Sequence, residues 1–182
     1  MGKKVAVAGA GLVVLALLGQ LIFNRVYNFP KQVEYGVSFS PKYAKYLQLD
    51  WKKIYLAMLD EANIKLLRLP TYWDEIEATA SADNFSDTDF MLDEAGKKNA
   101  KVLLVLGVRQ PRWPECHIPK WAKELSVAQR KQKILQFIRK VLERYEDKNQ
   151  IFAWQVENEP FLRFFGEGCV DPDKAFLKQE VS

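Results

Sequence analysis

Soft metal ligands are scarce in these 182 residues: one histidine, His117, and two cysteines, Cys116 and Cys169. They are too few, and wrongly spaced, for a structural zinc site, which needs four such ligands in paired clusters. Neither a metal nor an organic cofactor is implied. The charge pattern lacks a basic block as well. The 27 basic and 23 acidic residues are spread along the chain, so a net charge of +4 leaves no footprint for nucleic acid. A glycine-rich phosphate loop is also missing. Lys4 to Val14 imitates the opening of a dinucleotide-binding strand and turn through Gly9 and Gly11. The third glycine position holds Val14, however, and the apolar run continues with no amphipathic break, which sets a Rossmann fold aside.

What is present is a globular composition, 48% hydrophobic and 13% aromatic, with ample material for a core. Lys3 and Lys4 precede Val5 to Phe23, a stretch with no charge and a single strongly polar residue, Gln20. As a helix it rises about 28 Å, close to the roughly 30 Å hydrocarbon core of a bilayer. Arg25, Tyr27 and Lys31 then mark an interface. No small-residue cleavage site follows, so an uncleaved signal anchor is favoured over a removed signal peptide or a buried soluble helix. The leading lysines favour a cytoplasmic N-terminus, with the rest of the chain extracytoplasmic or, on the cleaved reading, secreted. The expected organisation is a transmembrane helix in residues 1–27, a linker in 28–32 and a catalytic-type domain in 33–182.

Beyond the linker the pattern alternates. Glu34 to Phe39 reads as a strand, and Asp50 caps a helix from Trp51 to about Ala62. Ile64 to Leu69 is a second strand, stopped by Pro70. A helix from about Thr88 to Asn99 follows, with Ser86 or Asp87 as its cap. Lys101 to Leu106 is a third strand. Ser126 and Gln129 form a capping box that opens a long amphipathic helix to about Glu146. Ile151 to Glu157 is a fourth strand, and Asp171-Pro172 starts a fourth helix. Short apolar strands alternating with helices mean a parallel sheet covered by helices. The loops after strands are long and those after helices short, which places function at the strand C-terminal ends.

One stretch carries chemistry. The fourth strand breaks into Asn158-Glu159-Pro160, delivering a carboxylic acid to a strand tip with an amide beside it, as a proton donor for glycosidic bond cleavage requires. Tyr35-Gly-Val-Ser-Phe39, Leu67-Arg68-Leu-Pro70 and Trp154-Gln-Val-Glu-Asn158-Glu159-Pro160, in this order and spacing, resemble the first, second and fourth strands of the clan A retaining glycoside hydrolases, the cellulase-like superfamily. The resemblance implies the N-terminal four strand–helix units of a (β/α)8 TIM barrel, acting on an oligo- or polysaccharide. It maps the general acid/base onto Glu159, the amide that binds the sugar 2-hydroxyl onto Asn158, and the arginine that supports the nucleophile onto Arg68. From the residues themselves, Arg68 is equally readable as half of a structural ion pair. Glu157 shares the strand face with Glu159 if the pleat holds to the end, making it a rival acid or a supporting residue. Trp73 and Trp113, in loops after the second and third strands, either stack on sugar or pack over the barrel mouth. Trp154 reads as a core or helix contact. His117, beside Cys116, could contact substrate, but as a lone loop histidine it is expected in solvent.

Cys116 and Cys169 fall in the loops after the third and fourth strands, which should touch. They form either a disulfide, as an oxidising compartment would favour, or two unpaired thiols. Residues 33–182 are too few for the roughly 250 of a closed barrel. The resemblance places the nucleophile on a seventh strand, with no counterpart here. The expectation is therefore the N-terminal part of a longer glycosidase, missing its C-terminal half, with a half barrel that pairs or a non-catalytic membrane-anchored carbohydrate-binding or scaffold protein as alternatives.

Overall fold

The computed structural model describes residues 16–23, 33–112, 114–162, 169 and 173–182. The chain divides into two units, Met1–Glu34 and Tyr35–Ser182. In the first, residues 16–23 are helical and all exposed, Leu17, Leu18, Leu21 and Ile22 among them. Among the described residues no helix is long and apolar enough to cross a membrane. The rest of the expected span and the linker 28–32 lie outside the described residues.

The second unit is built on four parallel strands in sequential order: β1 (Val37–Ser38), β2 (Leu66–Pro70), β3 (Lys101–Leu106) and β4 (Ile151–Val156). Helices fill every crossover. They are α1 (Pro41–Tyr46) and α2 (Trp51–Asp60), α3 (Trp73–Ile76) and α4 (Ser86–Lys97), α5 (Lys120–Lys123) and α6 (Val127–Tyr145), with α7 (Lys174–Glu180) after β4. Four parallel strands alternating with helices, each strand beside its predecessor, make half the wall of a (β/α)8 barrel.

Register separates the two faces of this wall. Leu67 pairs with Val102 and Leu69 with Leu104. These four and Leu106 are at most 1% exposed, packed against Tyr55, Leu59, Leu92, Ile134, Phe137 and Val141 of the helices. Each such side chain contributes about 1.5–3 kcal/mol by leaving water. The alternate positions Arg68, Leu103, Ala153 and Gln155 line the other face, and all are only half-buried.

Caps explain where most helices begin. Asp50 Oδ1 accepts from the amides of Lys52 and Lys53 at 3.2 Å, and the Ser126–Gln129 capping box is formed. Several boundaries differ from expectation, among them the start of β2, which is Leu66 and not Ile64. β1 keeps two residues of the predicted six, because as an edge strand it is paired on one side alone; Tyr35 is 85% exposed. α4 begins at Ser86, whose amide is taken by Asn84 Oδ1 at 3.1 Å, so neither Ser86 nor Asp87 is the cap. α7 is capped by Asp173, which accepts from Ala175 and Phe176, and not by Asp171. The pattern also missed α1, which Ser40 caps through the Tyr43 amide with Pro41 at the first helical position. Trp154 is not core. It pairs with Leu104 on the helix-facing side but stays 37% exposed, since β4 is the other edge of the described sheet.

Candidate active site

One arginine of β2 reaches across the sheet to the end of β4. Arg68 Nε donates to Gln155 Oε1 at 2.9 Å, and its Nη2 donates to Asn158 Oδ1 at 2.6 Å. The guanidinium therefore spans the half-buried face from β2 to β4. Asn158 is 8% exposed and fixed by its own amide, which donates to the Arg109 carbonyl at 2.9 Å. With its oxygen committed to Arg68, the Asn158 amide N–H groups are left to donate to a ligand. Burial pulls the Arg68 pKa down, and the nearby Glu159 charge opposes this. Arg68 is thus held by amides and a neighbouring negative charge, not by a close ion pair.

Glu159 itself is exposed, at φ 47°, the first residue of a turn closed by the Leu162 amide on its carbonyl at 2.9 Å. Glu157 is the opposite case. It is 7% exposed, and its carboxylate accepts from the amides of Val108 at 2.7 Å and Arg109 at 2.5 Å. This ties the tip of β4 to the loop after β3. Gly107 makes the seat: at φ 97°, a Cβ there would lie 2.2 Å from Glu157 Oε1. Burial pushes the Glu157 carboxyl up to about 7, against the pull of the two amides. Glu180, on α7, is pushed up to about 8 by burial and by the facing Glu157 charge. Both Glu157 carboxylate oxygens are therefore turned onto the loop after β3 and engaged with the scaffold. Glu115, also buried, lies 3.6 Å from Arg109 Nη2, and the charge of Glu159 reaches it.

The other predicted positions divide. Trp73 is a correction: it is fully buried, donates from Nε1 to Glu77 Oε2 at 2.8 Å and packs on Trp121 and Phe137, so it cannot stack on a sugar. Trp113 lies outside the described residues. Cys116 and Cys169 are joined by a disulfide with Cα atoms 5.4 Å apart, linking the loops after β3 and β4. His117 is a second correction. It is 2% exposed, beneath Tyr72 at 4.3 Å, with Nδ1 2.9 Å from Lys42 Nζ. A lysine donating to Nδ1 leaves the neutral ring with its proton on Nε2, in keeping with burial pulling its pKa down. Lys42 in turn holds both oxygens of Asp74, at 2.7 and 2.8 Å.

A pocket of about 260 Å3 opens at this end of the sheet, walled by Tyr43, Tyr46, Tyr72, Lys42, Arg112 and His117. Sequence reasoning missed it. The available signal was Tyr43 and Tyr46, three residues apart on the loop side of β1, behind a Ser-Pro helix start. Among the described residues no group of three His, Cys, Asp or Glu side chains could hold a metal ion.

Comparison with known proteins bears on the family and the fold. Residues 34–166 match the family described as Cellulase (glycosyl hydrolase family 5). A GH5_18 protein from Streptomyces cattleya, solved in complex with GlcNAc, superposes with a TM-score of 0.61 at 15% identity, over 84% of this chain and 41% of that one. A GH5_18 protein from Bifidobacterium longum subsp. infantis gives 0.57 at 14% identity, over 80% and 38%. A beta-galactosidase from Halorubrum lacusprofundi gives 0.51 at 17%, over 70% and 21%. At these identities the likeness is one of fold, and the chain spans less than half the length of each. No curated protein matches the chain.

Proposed function

The chain belongs to the cellulase family, glycosyl hydrolase family 5, and from that premise we propose that the whole protein hydrolyses O-glycosidic bonds with retention of configuration, Glu159 serving as general acid and then as base. The observation that carries this is the fixed Arg68–Asn158 pair, which orients an amide beside an accessible carboxyl at the strand tip. Asn158 would donate to the 2-hydroxyl of the sugar, a contact that strengthens as the ring flattens toward the oxocarbenium-like transition state. Glu159 would protonate the leaving oxygen while a second carboxylate attacks, then deprotonate water. Arg68 would position Asn158 and steady negative charge at the site.

A second reading has its own support. Glu159 is exposed, not enclosed by the surrounding side chains as a proton donor to a bound sugar would be. The same face would then bind glycan without cleaving it. Incubation with oligosaccharides, followed by NMR of the first-formed hemiacetal, separates the two. The retained anomer is expected. An inverted product overturns the mechanism, and saturable binding without turnover supports the binding module.

We also propose that Val5 to Phe23 anchors the protein in a membrane with residues 33–182 on the extracytoplasmic side. The uncharged run and the Cys116–Cys169 disulfide, a bond suited to an oxidising compartment, both support this. Retention of the protein in carbonate-washed membranes is expected; full release contradicts it.

A further inference from the structure

The proposed chemistry leaves the aromatic pocket unused. Its lining includes two cations, Lys42 and Arg112, and no acid. The cations differ. Lys42 is bridged to Asp74, as Lys45 is to Asp87 and Arg109 to Glu115. Arg112 has no carboxylate within ion-pair distance among the described residues. Its guanidinium instead lies 4.4 Å above the ring of Tyr43, which in turn stacks on Tyr46 at 6.0 Å. A guanidinium lying over an aromatic face can still turn N–H groups outward, and two of them match a carboxylate in parallel hydrogen bonds. Arg112 also sits at φ 89°, a conformation costing an arginine about 1–3 kcal/mol and typical of residues held for a ligand. Tyr46 is 75% exposed, leaving an aromatic face open to solvent. The volume is below that of sites for drug-sized ligands, roughly 300–1,000 Å3, and suits one sugar ring.

We propose that this pocket is a subsite for a hexuronic acid unit of the glycan, Arg112 taking its carboxylate edge-on while Tyr46 packs against the ring. The inference rests on the glycan-processing reading and adds a charge to its substrate. Pro114 lines the pocket, and the adjoining Glu115 feels the Glu159 charge, so the subsite and the strand tip belong to one end of the sheet.

The test titrates the full chain with methyl β-D-glucuronide, methyl β-D-glucoside and sodium acetate, followed by calorimetry. The glucuronide is expected to bind about tenfold or more tightly than either control, a difference of at least about 1.4 kcal/mol. Arg112→Gln, a change at an exposed position that leaves the fold intact, should bring the glucuronide down to the glucoside's affinity. Equal binding of both glycosides overturns the proposal while leaving the hydrolase reading intact. Acetate matching the glucuronide reduces the site to a bare anion contact and also overturns it. So does an Arg112→Gln protein that still prefers the glucuronide, or an absence of saturation with any of the three.

Discussion

Two kinds of turn in this molecule hold residues at positive φ, and they differ in what they place there. Where helices end, the residues are Gln48, Asn63 and Asn99. They close ordinary left-handed caps: the amide of Leu49 reaches the Ala44 carbonyl at 3.0 Å, and that of Ala100 reaches Ala95 at 2.9 Å. Where β3 and β4 end, the residues are Arg112, Glu115, Glu157 and Glu159. Asparagine tolerates this backbone; glutamate and arginine do so at a cost of about 1–3 kcal/mol each. Two of the three helix-end turns therefore use asparagine, which suits this backbone, with Gln48 the exception, and the strand-end turns use arginine and glutamate, which suit it less. Strain concentrated at one end of a sheet, on charged residues, is what a functional face requires.

Substitutions can break or sharpen this contrast. The largest effect should come from Gly107→Ala, which puts a Cβ into the Glu157 carboxylate and holds alanine at φ 97°. Overpacking and strain together should cost about 3–5 kcal/mol in denaturant unfolding. A loss below about 1 kcal/mol would mean the Glu157 seat is loose. Glu157→Gln keeps the shape but turns an N–H2 group toward one of the two amides it now accepts, and should cost about 1–3 kcal/mol by the same measurement.

A pH profile tests the same seat. Glu157 and Glu180 both titrate above the usual carboxylate range, to about 7 and about 8, because they are buried together, with Arg109, Lys131 and Asp173 around them. The folded state thus holds protons the unfolded chain releases. Their contribution to stability is full below the ordinary glutamate value of 4.5 and is lost as pH rises through about 8. The melting temperature should fall over that window, and Glu180→Gln should flatten the fall. A profile that rises through it would contradict the seat as described. The smallest effects belong to the helix ends. Asn99→Ala should cost about 1 kcal/mol and Asn99→Gly no more than a few tenths, with glycan binding unchanged in both.

Much of this was legible in the sequence. Apolar runs gave β3 to the residue, β4 to within one and β2 to within two, because β2 and β3 each bury an apolar row against the helices; Pro70 ends β2 from inside the strand. Asp50 and the Ser126–Gln129 box marked two helix starts, and the Asn-Glu-Pro stretch marked the end of β4, on which the candidate site is built. The rest depended on contacts between distant segments. The side-chain alternation of a strand was carried one step too far at Glu157: the strand stops at Val156, positive φ at 157 and 159 breaks the pleat, and two neighbouring carboxyls part. Trp73 begins a short helix that turns its ring into the core. His117 is covered by Tyr72 and Lys42, more than forty residues away in each case, which no local pattern announces.

The central claim is that Glu159, and not its buried neighbour Glu157, delivers the proton. It is tested most directly by comparing the wild-type protein with Glu159→Gln on aryl glycosides whose leaving groups are graded in acidity. A missing acid matters most when the leaving group most needs its proton. The variant should lose about 10²–10⁴-fold on the poorest leaving groups and approach wild-type rates for bond cleavage on the most acidic phenols. A loss of the same size across the whole series, or no loss on the poorest leaving groups, would contradict the assignment.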